Sequence, residues 1–291
     1  MSDTPKLELH EDNRLSWNAV TPAHNSHKGD QASFFRCGGC KLYPEDRELL
    51  GDVRGLEIVH LQCNCGQDTL SIANLGARQV TGVDISDTAI DFAEQLGRDA
   101  GVTNAKFLRS DVYDWFDRAT GDSGERFDIA FSSYGALCWL SDLGTWARGV
   151  ASILKPGGWL VLVDYHPASQ MFDAKLERKY SYFAEGRAQT WADGVGDYVA
   201  ETGTSPYGAF LPGVQRFKNP HPVHEFQWAI GEIVTAILDA GLALTTLKEF
   251  PYANGNKAFE SMRNIGGDRW ALPPESANIP LMYAVSAQKP A

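Results

Sequence analysis

Between residues 57 and 164 the chain alternates short apolar, β-prone runs with stretches of helical spacing. The runs are Glu57–Leu61, Gln79–Asp84, Lys106–Leu108, Phe127–Phe131 and Trp159–Asp164. A helix is expected from about Gln67 to Leu75, stopped by Gly76, and another after Ser86 or Asp87, with Ala89, Ile90, Ala93 and Leu96 on one face. Leu143, Trp146, Ala147, Val150, Ala151 and Leu154 recur at the spacing of a helical core face. Strand, helix, strand, helix in this order predicts a parallel sheet covered by helices. A further helix (Ile230, Ile233, Val234, Ile237 and Leu238, ended by Gly241) precedes two last strands, Leu244–Glu249 and Leu281–Ala287.

Two segments lie outside this rhythm. Residues 1–54 are read as polar and helix-poor, with no sheet of their own. From about 166 to 223 the periodicity dissolves into polar and aromatic residues, among them Phe172, Tyr180, Trp191 and Phe210. An insertion of that length at the carboxyl end of a parallel sheet is expected to cover a substrate.

The loop Gln62-Cys63-Asn64-Cys65-Gly66 joins the first strand to the first core helix. In open parallel sheets that position binds ligands beside a helix N-terminus. Asp84, ending the second strand, stands where a ribose-binding acid is expected. A dinucleotide pyrophosphate calls for Gly-x-Gly-x-x-Gly, whereas here Gln62 and Asn64 replace glycines and Gly66 remains. A ligand without a pyrophosphate, such as S-adenosylmethionine, suits this loop better.

From these residues the chain resembles the class I S-adenosylmethionine-dependent methyltransferases, whose first motif reads roughly Val-Leu-Asp-Leu-Gly-Cys-Gly-x-Gly. Here Val59-His60-Leu61-Gln62-Cys63-Asn64-Cys65-Gly66 carries His60 in place of the acid. Leu154-Lys155-Pro156-Gly157-Gly158 before a strand is the most family-like signature. The resemblance covers about residues 55–165 and 225–288. It implies an α/β fold with a Rossmann-like, seven-stranded, mostly parallel sheet in the order 3-2-1-4-5-7-6, the last strand antiparallel. It implies S-adenosylmethionine as cofactor and a small-molecule acceptor, with residues 1–54 folding over the cofactor as a lid. Gln62, Asn64, Gly66, Asp68 and Thr69 of the first loop would meet the cofactor, as would Asp84, Ile85 and Ser86. Asp111, with Val112 beside it, would accept from the adenine amine, and Ser132 and Ser133 would face the ligand after the fourth strand.

Methyl transfer from a sulfonium is an in-line displacement, so positioning in a dry pocket supplies much of the acceleration. A hydroxyl, thiol or ammonium acceptor also needs a base. His166, just past the fifth strand, is the first candidate and His224 the second, with Tyr134 as an acceptor-positioning group. Trp17, His27, Trp228 and Glu232 are candidates for the acceptor side. Two other readings compete: a catalytically silent binder of the same cofactor, and a nicotinamide oxidoreductase, which the missing glycines disfavour.

Composition narrows the field further. At 291 residues and 43% hydrophobic content the chain can bury one α/β core with an elaboration. A net charge of -11 disfavours nucleic acid as a partner. No stretch is apolar enough for a membrane span and the first residues carry no signal pattern, so a cytoplasmic protein is expected. Five cysteines speak against a disulfide framework. No metal is expected, because the Cys63/Cys65 pair sits inside the presumptive ligand loop.

Overall fold

A computed structural model describes residues 5–291 apart from 122–123, 185, 206, 208–209 and 277. Residues 1–4 of the N-terminal segment and four positions of the 166–223 insertion therefore lie outside the described residues. Three helices, α1 (Leu7–Ser26), α2 (Gln31–Arg36) and α3 (Pro44–Leu50), precede the sheet. Then come β1 (Glu57–Leu61), α4 (Gln67–Asn74), β2 (Gln79–Asp84), α5 (Asp87–Ala100), β3 (Ala105–Arg109), α6 (Val112–Ala119), β4 (Phe127–Ser133), α7 (Leu143–Ile153) and β5 (Leu154–Tyr165). The insertion holds β6 (Ala188–Trp191), α8 (Tyr198–Thr202) and β7 (Val223–Phe226), and is followed by α9 (Ile230–Asp239) and β8 (Ala243–Phe250). The short strands β9 (Tyr252–Asn254), β10 (Arg263–Gly266) and β11 (Arg269–Ala271) precede β12 (Met282–Gln288).

The main sheet has the order β3-β2-β1-β4-β5-β12-β8, and β12 runs antiparallel to both neighbours. This is the expected seven-stranded Rossmann-like arrangement. Alternation along β1 sorts its side chains: Val59 and Leu61 pack with α6, α7 and α9, while Ile58 packs with α3 and α4. His60 shares the face of Ile58 and reaches Thr69 of α4. Ser86 caps α5 through the Ala89 N–H, and the predicted face Ala89, Ile90, Ala93 and Leu96 is buried.

Four expectations change. The N-terminal segment is largely helical, not helix-poor. The buried stripe of α1 includes His10, Asn13, Ser16, Val20 and His24, at helical spacing but mostly polar, so an apolar-period reading misses it. Leu238 does not join the core face of α9, being 49% exposed. The fifth strand starts at Leu154, before the Lys-Pro-Gly-Gly stretch, with a register irregularity between Phe127 and Ile129 of its partner. Finally, α6 and the three-stranded sheet β10-β11-β9 are elements the sequence pattern does not reveal.

Candidate active site

The carboxyl ends of β1 to β5 open into a cavity of about 1280 Å³. In its floor the backbone is left-handed at Gln62 (φ 55), Asn64 (φ 48) and Gly66 (φ 73). Non-glycine residues pay for that conformation, and here hydrogen bonds hold it. The Asn64 N–H donates to Asp84 Oδ2 at 2.7 Å, and the Ser86 N–H donates to Oδ1 at 2.9 Å. The Gln62 amide donates to the Ala136 carbonyl at 2.7 Å, leaving its own Oε1 buried with no partner among the described residues. Burial pushes the Asp84 carboxyl up to about 6, although backbone N–H groups pull the other way.

A second group of charges stands beside this loop. Lys41 Nζ lies 3.2 Å from Asp68 Oδ1, and Ser133 donates to Asp68 Oδ2 at 3.2 Å. Burial penalises both members of the ion pair, but their mutual attraction wins: Asp68 is held below the usual carboxylate range and Lys41 above the usual ammonium range. Lys28 also lines the cavity, where burial lowers its ammonium to about 8. His60 shares a 2.9 Å hydrogen bond with Thr69 through Nδ1, while its Nε2 is buried without a partner among the described residues. Burial lowers His60 to about 4, so the ring is neutral at pH 7.

Tyr134, at φ 40 directly after β4, also lines the cavity. Its hydroxyl donates to Asp46 Oδ1 of α3 at 2.8 Å and accepts from Asn254 Nδ2 of β9 at 2.9 Å. Burial first, and then the charge of Asp68, raise Asp46 to about 7. Glu45, next to it, accepts from Tyr252, Asn254 and Arg269. The turn after β4 is itself pinned by Asp164 of β5, which accepts the N–H groups of Gly135, Ala136 and Leu137.

The roof comes from α1 and from the β6–β7 hairpin. Asn13 brackets the His224 main chain, donating to its carbonyl at 2.9 Å and accepting its N–H at 2.7 Å. His10 Nδ1 lies 2.7 Å from Asp111 Oδ2, and Asn18 Oδ1 accepts the Ser86 hydroxyl at 2.7 Å. His10, Asn13 and Trp17 face the cavity.

This sheet order and crevice have counterparts among known proteins. A family model described as "Methyltransferase domain" matches residues 58–158. The O-methyltransferase cnsE of Penicillium expansum is 30% identical over 148 residues, 50% of this chain and 51% of that protein. The O-methyltransferase resE of Aspergillus sclerotiorum is 24% identical over 212 residues, 70% of this chain and 76% of that one. For most of these curated relatives the chain spans about half of their length. A solved S-adenosylmethionine-dependent methyltransferase from Mesorhizobium loti superposes with a TM-score of 0.53 at 22% identity, covering 86% of this chain and 99% of that one, which is a likeness of fold.

Residues 58–158 match a methyltransferase domain, and the fold is that of S-adenosylmethionine-dependent methyltransferases.

Within the methyltransferase fold, the left-handed residues Gln62, Asn64 and Gly66 fall on the positions where the family motif has glycines, so two of those positions carry side chains here. The predicted residues now separate. Gln62, Asn64, Asp68, Asp84, Ile85, Asp111, Val112 and Ser133 line the cavity. Gly66 lies beneath it, where a Cβ would come within 2.5 Å of the Phe107 ring. Thr69 is spent on His60, and Ser86 caps α5. Ser132 does not face the ligand side: strand alternation turns it to the α7 face, fully buried. Asp111 lines the cavity and also caps α6, its Oδ1 accepting the Tyr113 N–H at 2.8 Å.

Of the catalytic candidates, Tyr134 alone lines the cavity. His166 points away from it: Nδ1 accepts the Ala168 N–H at 3.0 Å, and Nε2 lies 2.8 Å from Glu249 at the sheet edge. His224 joins the hairpin to α1, with Nε2 3.0 Å from Asp12 and Nδ1 2.9 Å from Thr190. On the expected acceptor side, Trp17 lines the cavity, whereas His27 is buried between Asp197 and the Leu211 carbonyl. Trp228 donates its indole N–H to Leu140 and packs on the core, and Glu232 caps α9 at Ala229.

Sequence reasoning missed Lys28, Lys41, Asp46 and Glu225, all outside the regular strand-helix pattern. For Asp46 a signal existed: Tyr43-Pro44-Glu45-Asp46, with proline in the first turn followed by two acids, is a helix start.

Proposed function

We propose that the protein transfers a methyl group from S-adenosylmethionine to a small-molecule acceptor. The observation that carries this reading is the set of opposite charges around the first loop, matched to a ligand that is neutral at its adenosine end and zwitterionic at its methionine end. Asp84 presents carboxylate oxygens with free lone pairs to ribose hydroxyls, and Asp111 does so to an exocyclic amine. Lys28 and Lys41 would neutralise an amino-acid carboxylate, and Asp68 an ammonium. The unpartnered Gln62 Oε1 and His60 Nε2 are buried polar atoms that a polar ligand would satisfy. When bound, the cofactor supplies an electrophilic methyl on sulfur. The residues of this chain hold the two reactants in line and shed water under α1 and the hairpin, which we read as the lid.

Gln62 and Asn64 put side chains where a dinucleotide pyrophosphate would need bare backbone, which disfavours the nicotinamide reading. The test is calorimetry with S-adenosylmethionine, S-adenosylhomocysteine and NADH on the wild type and on Asp84→Ala. The expected result is binding of the two adenosyl ligands, lost in the variant. Binding of NADH alone, or wild-type affinity in the variant, would overturn the assignment. Binding with no methyl transfer across a broad acceptor screen would favour a catalytically silent binder.

A further inference from the structure

In the β6–β7 hairpin, Gln189 pairs with Glu225 and Trp191 with Val223, and all four residues line the cavity. Thr190 and His224 lie on the opposite face, where His224 is tied to α1. Glu225 is therefore a carboxylate aimed at the cavity. Its Oε2 accepts the Trp191 indole N–H at 2.7 Å, and among the described residues no lysine or arginine forms an ion pair with it. Of the four cations of the wall, Lys41 pairs with Asp68 and Lys179 with Asp173, Arg187 donates to the Ala184 carbonyl, and Lys28 forms an ion pair with none of the described residues. Burial pushes the Glu225 carboxyl up, opposed by the single indole N–H.

Aromatic rings share the cavity wall with this acid. Trp191 shares an apolar cluster with Trp17 and Trp139. Trp17 and Trp139 meet edge to face at 5.6 Å, and Tyr180 meets Trp191 in the same way at 5.7 Å. All four rings line the cavity. A half-buried carboxylate with one neutral donor is costly to keep charged, and the missing element is a cation. Tryptophan faces attract cations as well. A neutral apolar group placed there would leave the carboxylate stranded, whereas a protonated amine meets both demands.

We propose that Glu225, walled by Trp17, Trp139 and Trp191, forms a subsite that holds a protonated amine of the acceptor. An ammonium has no lone pair for a displacement, so the group held here is a handle and the methylated atom lies elsewhere in the same molecule. The word acceptor rests on the methyl-transfer reading; the affinity for an amine does not.

The test is calorimetry of the full chain with tyramine and tryptamine against their neutral isosteres, 4-propylphenol and 3-propylindole. Each ammonium should bind on the order of tenfold more tightly than its isostere, and Glu225→Gln, which retains an acceptor for the Trp191 N–H, should erase the difference. Equal affinities, no binding by the amines, or a preference that survives in Glu225→Gln would overturn the subsite. Should that variant fail to fold, Trp139→Leu serves in its place, expected to weaken the ammonium more than the isostere; equal weakening counts against the proposal. S-adenosylhomocysteine is titrated in parallel. Cofactor binding without amine preference removes the subsite alone, and amine preference without cofactor binding removes the methyltransferase reading alone.

Discussion

Tyr134 donates its hydroxyl hydrogen to Oδ1 of Asp46 at 2.8 Å and so ties the end of β4 to α3. Asp46 is fully buried and titrates near 7 in the fold against an ordinary value of 3.8. The folded chain therefore binds more protons than the unfolded one in that window, and the contribution of this group to stability is present below about pH 4 and drains away as pH rises through about 7. Asp46→Asn removes the titration. Urea unfolding from pH 4 to 8 should show a flatter profile for the variant, which gains on wild type by roughly 2–4 kcal/mol across the range. Parallel profiles would show that Asp46 does not titrate there.

Asp68→Asn leaves Lys41 without its anion, and Lys41→Met leaves Asp68 without its cation. Each should weaken S-adenosylhomocysteine binding by about tenfold to a hundredfold. The double variant should lose less than the product of the two, because the residues act as one pair. Full additivity in calorimetry would separate their roles.

Asp84 titrates near 6, and under the proposed function its carboxylate would serve the ribose hydroxyls. Affinity for S-adenosylhomocysteine should therefore fall as pH drops through about 6 and hold steady above it. In Asp84→Asn that step should disappear. A step of the same size in the variant would place the titrating group elsewhere.

Gly66 and Gln62 both adopt positive φ, but only at Gly66 does added bulk meet the Phe107 ring. Gly66→Ala should cost more than about 2 kcal/mol in denaturant unfolding. Gln62→Gly trades strain relief against a lost hydrogen bond and greater unfolded-chain freedom, so it should stay within about 1 kcal/mol of wild type. A reversed ranking would mean that the Gln62–Ala136 bond, not the backbone path, governs the loop.

His166→Ala should leave S-adenosylhomocysteine affinity unchanged, since the ring faces Glu249 and not the cavity. The loss of its bond to the Ala168 N–H should lower stability by about 1 kcal/mol. A large drop in affinity would put His166 back in the site.

The succession of β1 to β5 with their helices was readable from the chain because each element buries an apolar face whose period is local: Val59 and Leu61 on one side of β1, Ala89 to Leu96 on α5, Leu143 to Ala151 on α7. Strand ends follow from strand order, so Asp84, Asp111 and Tyr134 could be placed beside the crevice before any coordinates. Which hydroxyl of Ser132-Ser133 enters the cavity, and that His166 turns outward, depended on where the pleat and the chain turn. Tertiary structure alone brought Lys28, Lys41 and Glu225 to the same cavity and set Asp46 behind Tyr134, and it alone made α1 a buried helix. Those elements are held by polar contacts between segments remote in sequence, His10 with Asp111 and Asn13 with His224, and a hydrogen bond to a distant partner leaves no periodic trace in the sequence that makes it.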